Sequence, residues 1–250
     1  MKKKAGLIQM YSLPGEVSRN EEKALSMMKE AVSKGADMVA LPALWNTGIE
    51  QEAQMRREAD AGGSRTVQMM GDFAVQNHVS VAAGAVIVSE NGKFYQRAYA
   101  FNRQGDTVGQ YDQMNEFFPL GEADFIAAGS NISSFMLEGF RCACVIGGDL
   151  KCAGLLRMAN NKGIDLFFAA AQWTGENAFD WSALLRARAI ENGAYAVGVN
   201  GCGAPGGKES GGESAVITPR GITEGRLLHE EGILVEEIDS HAFMSMRTSF

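Results

Sequence analysis

Apolar and polar positions along the chain follow two rhythms. Short apolar runs of strand length alternate with stretches whose apolar residues recur at helical spacing. The first run, Ala5-Gly6-Leu7-Ile8-Gln9-Met10, predicts a buried strand. Ala24, Leu25, Met28, Ala31 and Val32 then mark one face of a helix, with the capping-box spacing of Ser18 and Glu21 at its start and Gly35 as its stop. Residues 37–41 are the next strand, ended by Pro42. Residues 52–77 have helical character, with Gly62-Gly63 as a break point. A strong strand at 79–88 meets the hairpin signal Asn91-Gly92, followed by strands at 94–101 and 107–112 around a turn at Gly105.

Residues 114–131 form a long irregular loop, a feature that in compact domains is more often functional than not. Strands at 135–137 and 141–146 pair around Glu138-Gly139. A helix to residue 161 is capped by Gly163, and a buried strand follows at 164–170. Residues 179–192 form a helix with apolar Trp181, Leu184, Leu185 and Ile190. Strands at 194–200, 214–218 and 231–238 come next, and the tail from Asp239 is the last helical candidate. No repeat or linker-like composition shift interrupts this order, so the expectation is a single α/β domain over 1–250, with mixed sheets covered by helices.

Composition narrows the function classes. With 46% hydrophobic and 21% charged residues, the chain of 250 residues has the content of a folded protein, which excludes disorder. Its 23 basic and 30 acidic residues give a net charge of −7, which argues against nucleic acid and anionic membrane surfaces as partners. No apolar run approaches the roughly 20 residues that span a bilayer. The basic start Lys2-Lys3-Lys4 precedes an apolar segment too short for a signal peptide and interrupted by Gln9.

The four cysteines, Cys142, Cys144, Cys152 and Cys202, contain no C-x-x-C pair, and the expectation is reduced thiols in a cytoplasmic protein. In such a protein the sequon Asn131-Ile132-Ser133 goes unused. His78, His229 and His241 lie far apart, so no metal site is expected. Gly201-Cys202-Gly203-Ala204-Pro205-Gly206 matches G-x-G-x-x-G after a strand. Lys208-Glu209-Ser210-Gly211-Gly212 is a poor helix start, however, and a dinucleotide needs a helix N-terminus there. A loop is expected, and no cofactor.

Several segments carry a resemblance. They are Leu41-Pro42-Ala43-Leu44-Trp45-Asn46-Thr47-Gly48, Tyr111 to Phe117 with Gly121-Glu122, and Ile146-Gly147-Gly148-Asp149-Leu150. Further on come Trp181-x-x-Leu184-Leu185-Arg186-Ala187-Arg188-Ala189-Ile190-Glu191-Asn192, Gly212-x-Ser214 with Pro219-x-Gly221, and Glu231-Gly232-Ile233-Leu234. In this order they resemble the carbon–nitrogen hydrolase (nitrilase) family from Leu7 to about Arg247. The resemblance implies a four-layer α-β-β-α sandwich, dimerisation across a helical face, and a Glu-Lys-Cys triad. In that triad Cys attacks an amide or nitrile carbon to form a thioester. Glu takes the thiol proton and later activates water, and Lys stabilises the tetrahedral intermediate.

The sequence departs from the family pattern at all three triad positions. Where the family has Pro-Glu-(Leu/Phe), this chain has Pro42-Ala43-Leu44. The family lysine aligns with Gln113 in Tyr111-Asp112-Gln113, and the family cysteine aligns with Gly147. Flanking residues differ too, with Asn115-Glu116 and Cys152-Ala153-Gly154, a breadth of change that favours natural divergence over engineered knock-outs. Losing the glutamate alone would bury an unpaired lysine at several kcal/mol, whereas Ala43 with Gln113 leaves the pair of positions neutral.

Glu122 matches an accessory glutamate that many family members place beside the triad. It has two readings, a pocket carboxylate for a cationic or hydrogen-bond-donating ligand, or a loop carboxylate paired nearby. Gln172-Trp173 follows a strand where the family has a substrate-contacting loop, and Trp45 with Asn46 has the same open alternative of pocket wall or packed loop. Arg186 and Arg188 read with Glu191 as structural ion pairs. The expectation is a catalytically degenerate member that binds a small molecule, regulates or acts as a scaffold. Its expected assembly is a homo-oligomer (a dimer or higher), or a subunit beside an active paralogue. The alternative is an active amide hydrolase whose nucleophile has moved to Cys144, upstream within the strand, or Cys152, downstream in the expected helix.

Overall fold

The computed structural model of the protein describes residues 1–115, 125–159, 163–204 and 211–240. The chain opens with β1 (Lys2–Gln9), α1 (Val17–Ser33) and β2 (Met38–Ala40), followed by α2 (Glu52–Glu58), β3 (Asp60–Ala61) and α3 (Ser64–Asn77). A run of strands follows: β4 (Ser80–Glu90), β5 (Lys93–Phe101), β6 (Thr107–Asp112), β7 (Phe135–Leu137) and β8 (Phe140–Ile146). After a 3-10 turn at Gly147–Lys151 come α4 (Leu155–Ala159), β9 (Leu166–Ala171), α5 (Ala178–Asn192) and β10 (Tyr195–Asn200). The described chain closes with β11 (Ala215–Ile217), β12 (Thr223–Arg226) and β13 (Gly232–Asp239).

The strands form two sheets, one in the order β13-β1-β2-β4-β5-β6 with β3 against β4, the other in the order β12-β11-β10-β9-β8-β7. Both are mixed: β1, β2 and β4 run parallel, as do β8, β9 and β10, with antiparallel strands outside them. Alternation explains the layers. Leu7, Met38 and Ala40 face the second sheet, whereas Ile8, Val39 and Leu41 pack with Met28 of α1 and Phe73 of α3. The far face of the second sheet is covered by Trp181, Leu185 and Ala189 of α5. The result is the α-β-β-α sandwich that the sequence resemblance implies.

One residue shifts the phase of β4. Val81 and Ala83 face the helices, and so do Val86 and Val88, because Gly84 bulges out between them and the pairing register shifts there. Gly84 has φ of +60°, and a Cβ on it would lie 2.0 Å from the Pro42 carbonyl oxygen. The bulge thereby admits the chain after β2. Leu41 N–H donates to Ala82 O, Ala85 N–H to Pro42 O, and Leu44 N–H to Ala85 O. Gly84→Ala is expected to cost about 2–3 kcal/mol, combining left-handed backbone strain with weakening of these bonds. A urea unfolding series checks this, with a lowered midpoint as the result.

Several expectations need correction. Ser18 does not cap α1: the helix begins at Val17, and Glu16 at its cap position makes no side-chain capping hydrogen bond. Residues 52–77 are two helices separated by β3. There the Asp60 carboxylate accepts the N–H groups of Arg65 and Thr66 and so caps α3. The expected helix up to 161 is a 3-10 turn followed by the short α4, and Cys152 lies between the two. Ile190 is 51% exposed, because Arg188 and Ala189 occupy the inward face of α5 instead. Strand β12 is unforeseen, and the chain from residue 241, the expected last helix, lies outside the described residues. No helix among the described residues is long and apolar enough to cross a membrane.

Candidate functional site

The carboxyl ends of the parallel strands meet at one end of the sandwich, the usual place for ligand sites in such sheets. Ala43 follows β2, Gln113 follows β6, Gly147 follows β8, and Gln172-Trp173 follows β9. Backbone bonds tie these ends together across the sheets. Ala171 O accepts the N–H of Ala43 at 3.3 Å and that of Gly201 at 3.1 Å. Asn200, at the end of β10, accepts the Trp173 N–H at 2.7 Å and donates back to the Trp173 carbonyl at 3.1 Å.

Gly147 is the sharp corner. Ile146 is still extended, and at Gly147 the backbone turns left-handed, with φ of +46°, into the 3-10 turn. The Asp149 carboxylate holds the corner. One of its oxygens accepts the Tyr111 hydroxyl at 2.7 Å and the Ile146 N–H at 3.1 Å. The other accepts the backbone N–H and the side-chain amide of Asn115, each at 3.0 Å. Burial pushes the Asp149 carboxyl above its ordinary range, and the hydrogen bonds from Tyr111, Asn115 and Ile146 only partly oppose this. Burial, followed by the Asp149 charge, likewise raises the Tyr111 phenol. From the far side, Arg188 donates to Leu150 O at 2.8 Å and pairs with Glu191 at 3.0 Å, the structural role expected of it. Arg186 donates to Gly221 O and Thr223 and makes no such pair with Glu191 in the contacts described.

Gln113 is buried beside this corner. Its side-chain amide donates to Asn115 O at 2.9 Å, its N–H donates to Gln96 O, and its carbonyl accepts the Gly129 N–H. Asp149 therefore couples the Gln113–Asn115 segment to the Gly147 corner, so that the two positions share one scaffold.

The other candidates divide. Gln172 is buried, with its amide packed where a Cβ on Gly201 would lie. Trp173 is buried against Trp181, with ring centroids 5.9 Å apart, and the Lys151 ammonium sits 5.4 Å from its ring centre. Trp45 does not join the group: its ring lies in the helix-facing core and its Nε1 donates to Ala83 O at 2.7 Å. Glu122 lies outside the described residues. Of the thiols, Cys152 ends the corner turn and the other three are buried. Cys144 lies in the core between the sheets, with its pKa pushed up to about 12 by burial; Cys202 is raised to about 12 and Cys142 also rises, for the same reason. Among the described residues, no group of three or more His, Cys, Asp or Glu side chains is placed to hold a metal ion.

In the sequence Asp149 and Asn200 are legible only as members of family-like segments and Gln9 only as an interruption of an apolar run, and none of them shows its structural role. All three are polar groups at or just beyond the end of an apolar strand, and that was the available signal. Gln9, fully buried, donates to the carbonyls of Leu228 and Glu230 and accepts the Ser214 N–H, fastening β1 to the returning chain.

Comparison with known proteins agrees with this architecture. The carbon–nitrogen hydrolase family model matches residues 4–248. A hydrolase in the agr operon of Staphylococcus lugdunensis is 34% identical over 217 residues, covering 86% of this chain and 92% of its own. A 2-oxoglutaramate amidase of Bacillus subtilis is 31% identical over 235 residues, covering 94% and 90%. Among solved structures, a CN-hydrolase superfamily protein from Xanthomonas campestris has a similar fold, with a TM-score of 0.88 at 23% identity over 100% of this chain and 95% of that one. An amidase from Nesterenkonia superposes with a TM-score of 0.87 at 20% identity, covering 99% and 94%. The chain belongs to the carbon–nitrogen hydrolase family.

Proposed function

We propose that this family member does not hydrolyse amides through a triad thiol, and that it binds a small neutral ligand at the strand-end site or acts there as a regulatory or scaffold subunit. The observation that carries this reading is Gly147. The left-handed corner between β8 and the 3-10 turn holds a glycine, and its partner positions are Ala43 and Gln113. A methyl group cannot serve as general base, an amide does not supply a cationic charge, and a hydrogen atom cannot attack a carbonyl. The intact Asp149 network supports a site kept for its shape.

The expected result is no ammonia release above background from 2-oxoglutaramate, the substrate class named for the Bacillus relative, or from simple aliphatic amides. A second reading, an active amidase with a relocated nucleophile, is favoured by the amidase relatives and by Cys152, which ends the corner turn and donates its N–H to Asp149 O at 3.0 Å. Turnover that Cys152→Ser or Cys144→Ser abolishes would establish that reading and overturn the first. Four free cysteines support a cytoplasmic location. The family resemblance supports a homo-oligomer, or a mixed oligomer with an active paralogue, and sedimentation with and without that paralogue separates the two.

A further inference from the structure

We infer that Arg56 is a positioning residue for the candidate site: its guanidinium, laid over Phe94 and Phe125, holds the strap 125–129 that fixes Gln113. The strap runs past the start of β5 and the end of β6 without joining either as a strand. Ile126 makes a single bridge to Phe94, and the Ala127 N–H donates to Phe94 O at 2.7 Å. Two residues on, the Gly129 N–H donates to Gln113 O at 2.7 Å, and a Cβ on Gly129 would lie 2.2 Å from Asp112 O. Gln113 is thus held from both sides, since its own N–H donates to Gln96 O at 3.0 Å.

So few backbone bonds leave the attachment of the strap to its side chains, and these lead to α2. Phe125 packs edge-on against Phe94, with ring centroids 5.7 Å apart and planes at 71°. The Arg56 guanidinium carbon lies 4.7 Å from the centre of Phe125 and 4.9 Å from that of Phe94. One cation therefore serves both rings, whose faces carry the negative part of the aromatic quadrupole. The fixed side of this contact is α2. Its Met55 is 4% exposed and shares one hydrophobic core with Phe125 and Ile126. The Glu52 carboxylate, one turn earlier, accepts the Arg56 Nε–H at 2.7 Å and aims the guanidinium.

The chemistry asks for arginine rather than any long side chain. A guanidinium is planar, weakly hydrated and always charged, so it can lie on a ring while its outer edge stays in water. The Arg56 side chain is 41% exposed, which matches that placement. A methionine there would cover the rings with a similar stem yet offer them no charge. This role rests on the proposed use of the strand-end site as one kept for its shape, because only then does the place of Gln113 matter. The contact itself can be measured without any ligand.

The test is amide hydrogen exchange by NMR on the full chain, with Arg56→Met, Phe125→Leu and the double variant beside the wild type. Arg56→Met is expected to speed exchange at Ala127 and Gly129 by about 5-fold and to leave Met55 in α2 unchanged. In the Phe125→Leu background it should add about 2-fold at most, because the strap's ring is gone. In the wild type the Arg56 Nε–H resonance should lie upfield of its ordinary position through the ring currents, and move back in Phe125→Leu. Unchanged strap exchange in Arg56→Met, an equal rise at Met55, full additivity of the two variants, or no upfield shift would overturn the role. The wild-type resonance decides even where a variant fails to fold. Ammonia release from 2-oxoglutaramate would overturn the proposed function instead and leave these exchange rates as they are.

Discussion

Replacing Glu138 by alanine is expected to destabilise the protein by about 3–4 kcal/mol, the cost of leaving partly buried charges without their partner. Glu138 sits in the two-residue turn between β7 and β8, with φ of +49°, and its side chain is 7% exposed. It belongs to the second sheet, yet its partners belong to the first. Arg103 binds it through two nitrogens at 2.6 and 2.9 Å, Lys3 pairs with it at 2.8 Å, and the Ser80 hydroxyl donates at 2.7 Å. Asp37 completes the cluster, at 2.8 Å from Arg103 and 3.5 Å from Lys3. The cluster thus clamps the two sheets together at the end opposite the candidate site.

The same cluster sets an acid limit. Burial pushes Glu138 up, but the hydrogen bonds from Arg103, Lys3 and Ser80 outweigh it and hold the carboxyl below its usual range. Asp37 is lowered in the same way: burial raises it, and the Lys4 N–H, Arg103 and Lys3 more than reverse that. Lys3 and Arg103 are both raised, chiefly by their hydrogen bonds to Glu138. For depressed carboxylates the stabilisation is complete above the unfolded values, roughly pH 4, and is lost as pH falls through the folded ones. The raised cations lose theirs only far above neutrality. Thermal unfolding from pH 7 to pH 3 should therefore show a steeper acid fall in the wild type than in Glu138→Ala. Parallel curves, or an unchanged neutral midpoint, would show that the clamp contributes nothing.

Local signals were legible in the sequence, and those set by distant partners were not. Asn91-Gly92 predicts a hairpin because both residues take positive φ, and they do so here at +50° and +75°. By contrast Thr223-Glu224-Gly225-Arg226 has no strand character of its own and becomes β12 only by pairing with β11. The run at 79–88 reads as one uninterrupted strand, since nothing local reveals that Pro42 needs the space at Gly84. Glu138-Gly139 reads correctly as a turn, but its charge role depends on Lys3, Asp37 and Arg103, all remote in sequence. At the site, periodicity placed Gly147 after a strand, while only the family resemblance gave that glycine meaning. Trp45 is an open choice in the sequence, because a loop tryptophan gives no sign of which core it enters.

Gly147→Cys combined with Ala43→Glu and Gln113→Lys is expected to produce an amide hydrolase. The scaffold that would hold such a triad is present: the corner is left-handed, Asp149 fixes it, and Ala43 is bonded to Ala171 beside it. The thiol alone should react with iodoacetamide yet turn over little, because a general base contributes about 100- to 10,000-fold and the charge opposite the developing oxyanion about 100- to 1,000-fold. The two charged residues must enter together, since either alone is a buried unpaired charge. The introduced cysteine also meets a φ of +46° and should cost about 1–2 kcal/mol, which the fold can bear. Ammonia release from 2-oxoglutaramate, with alkylation mapped by mass spectrometry, compares the triple variant with Gly147→Cys alone. A gain of at least about 100-fold follows if the three positions converge. A folded triple variant no faster than the single one would mean that they do not, and the reading of Ala43, Gln113 and Gly147 as a dismantled triad would fall with it.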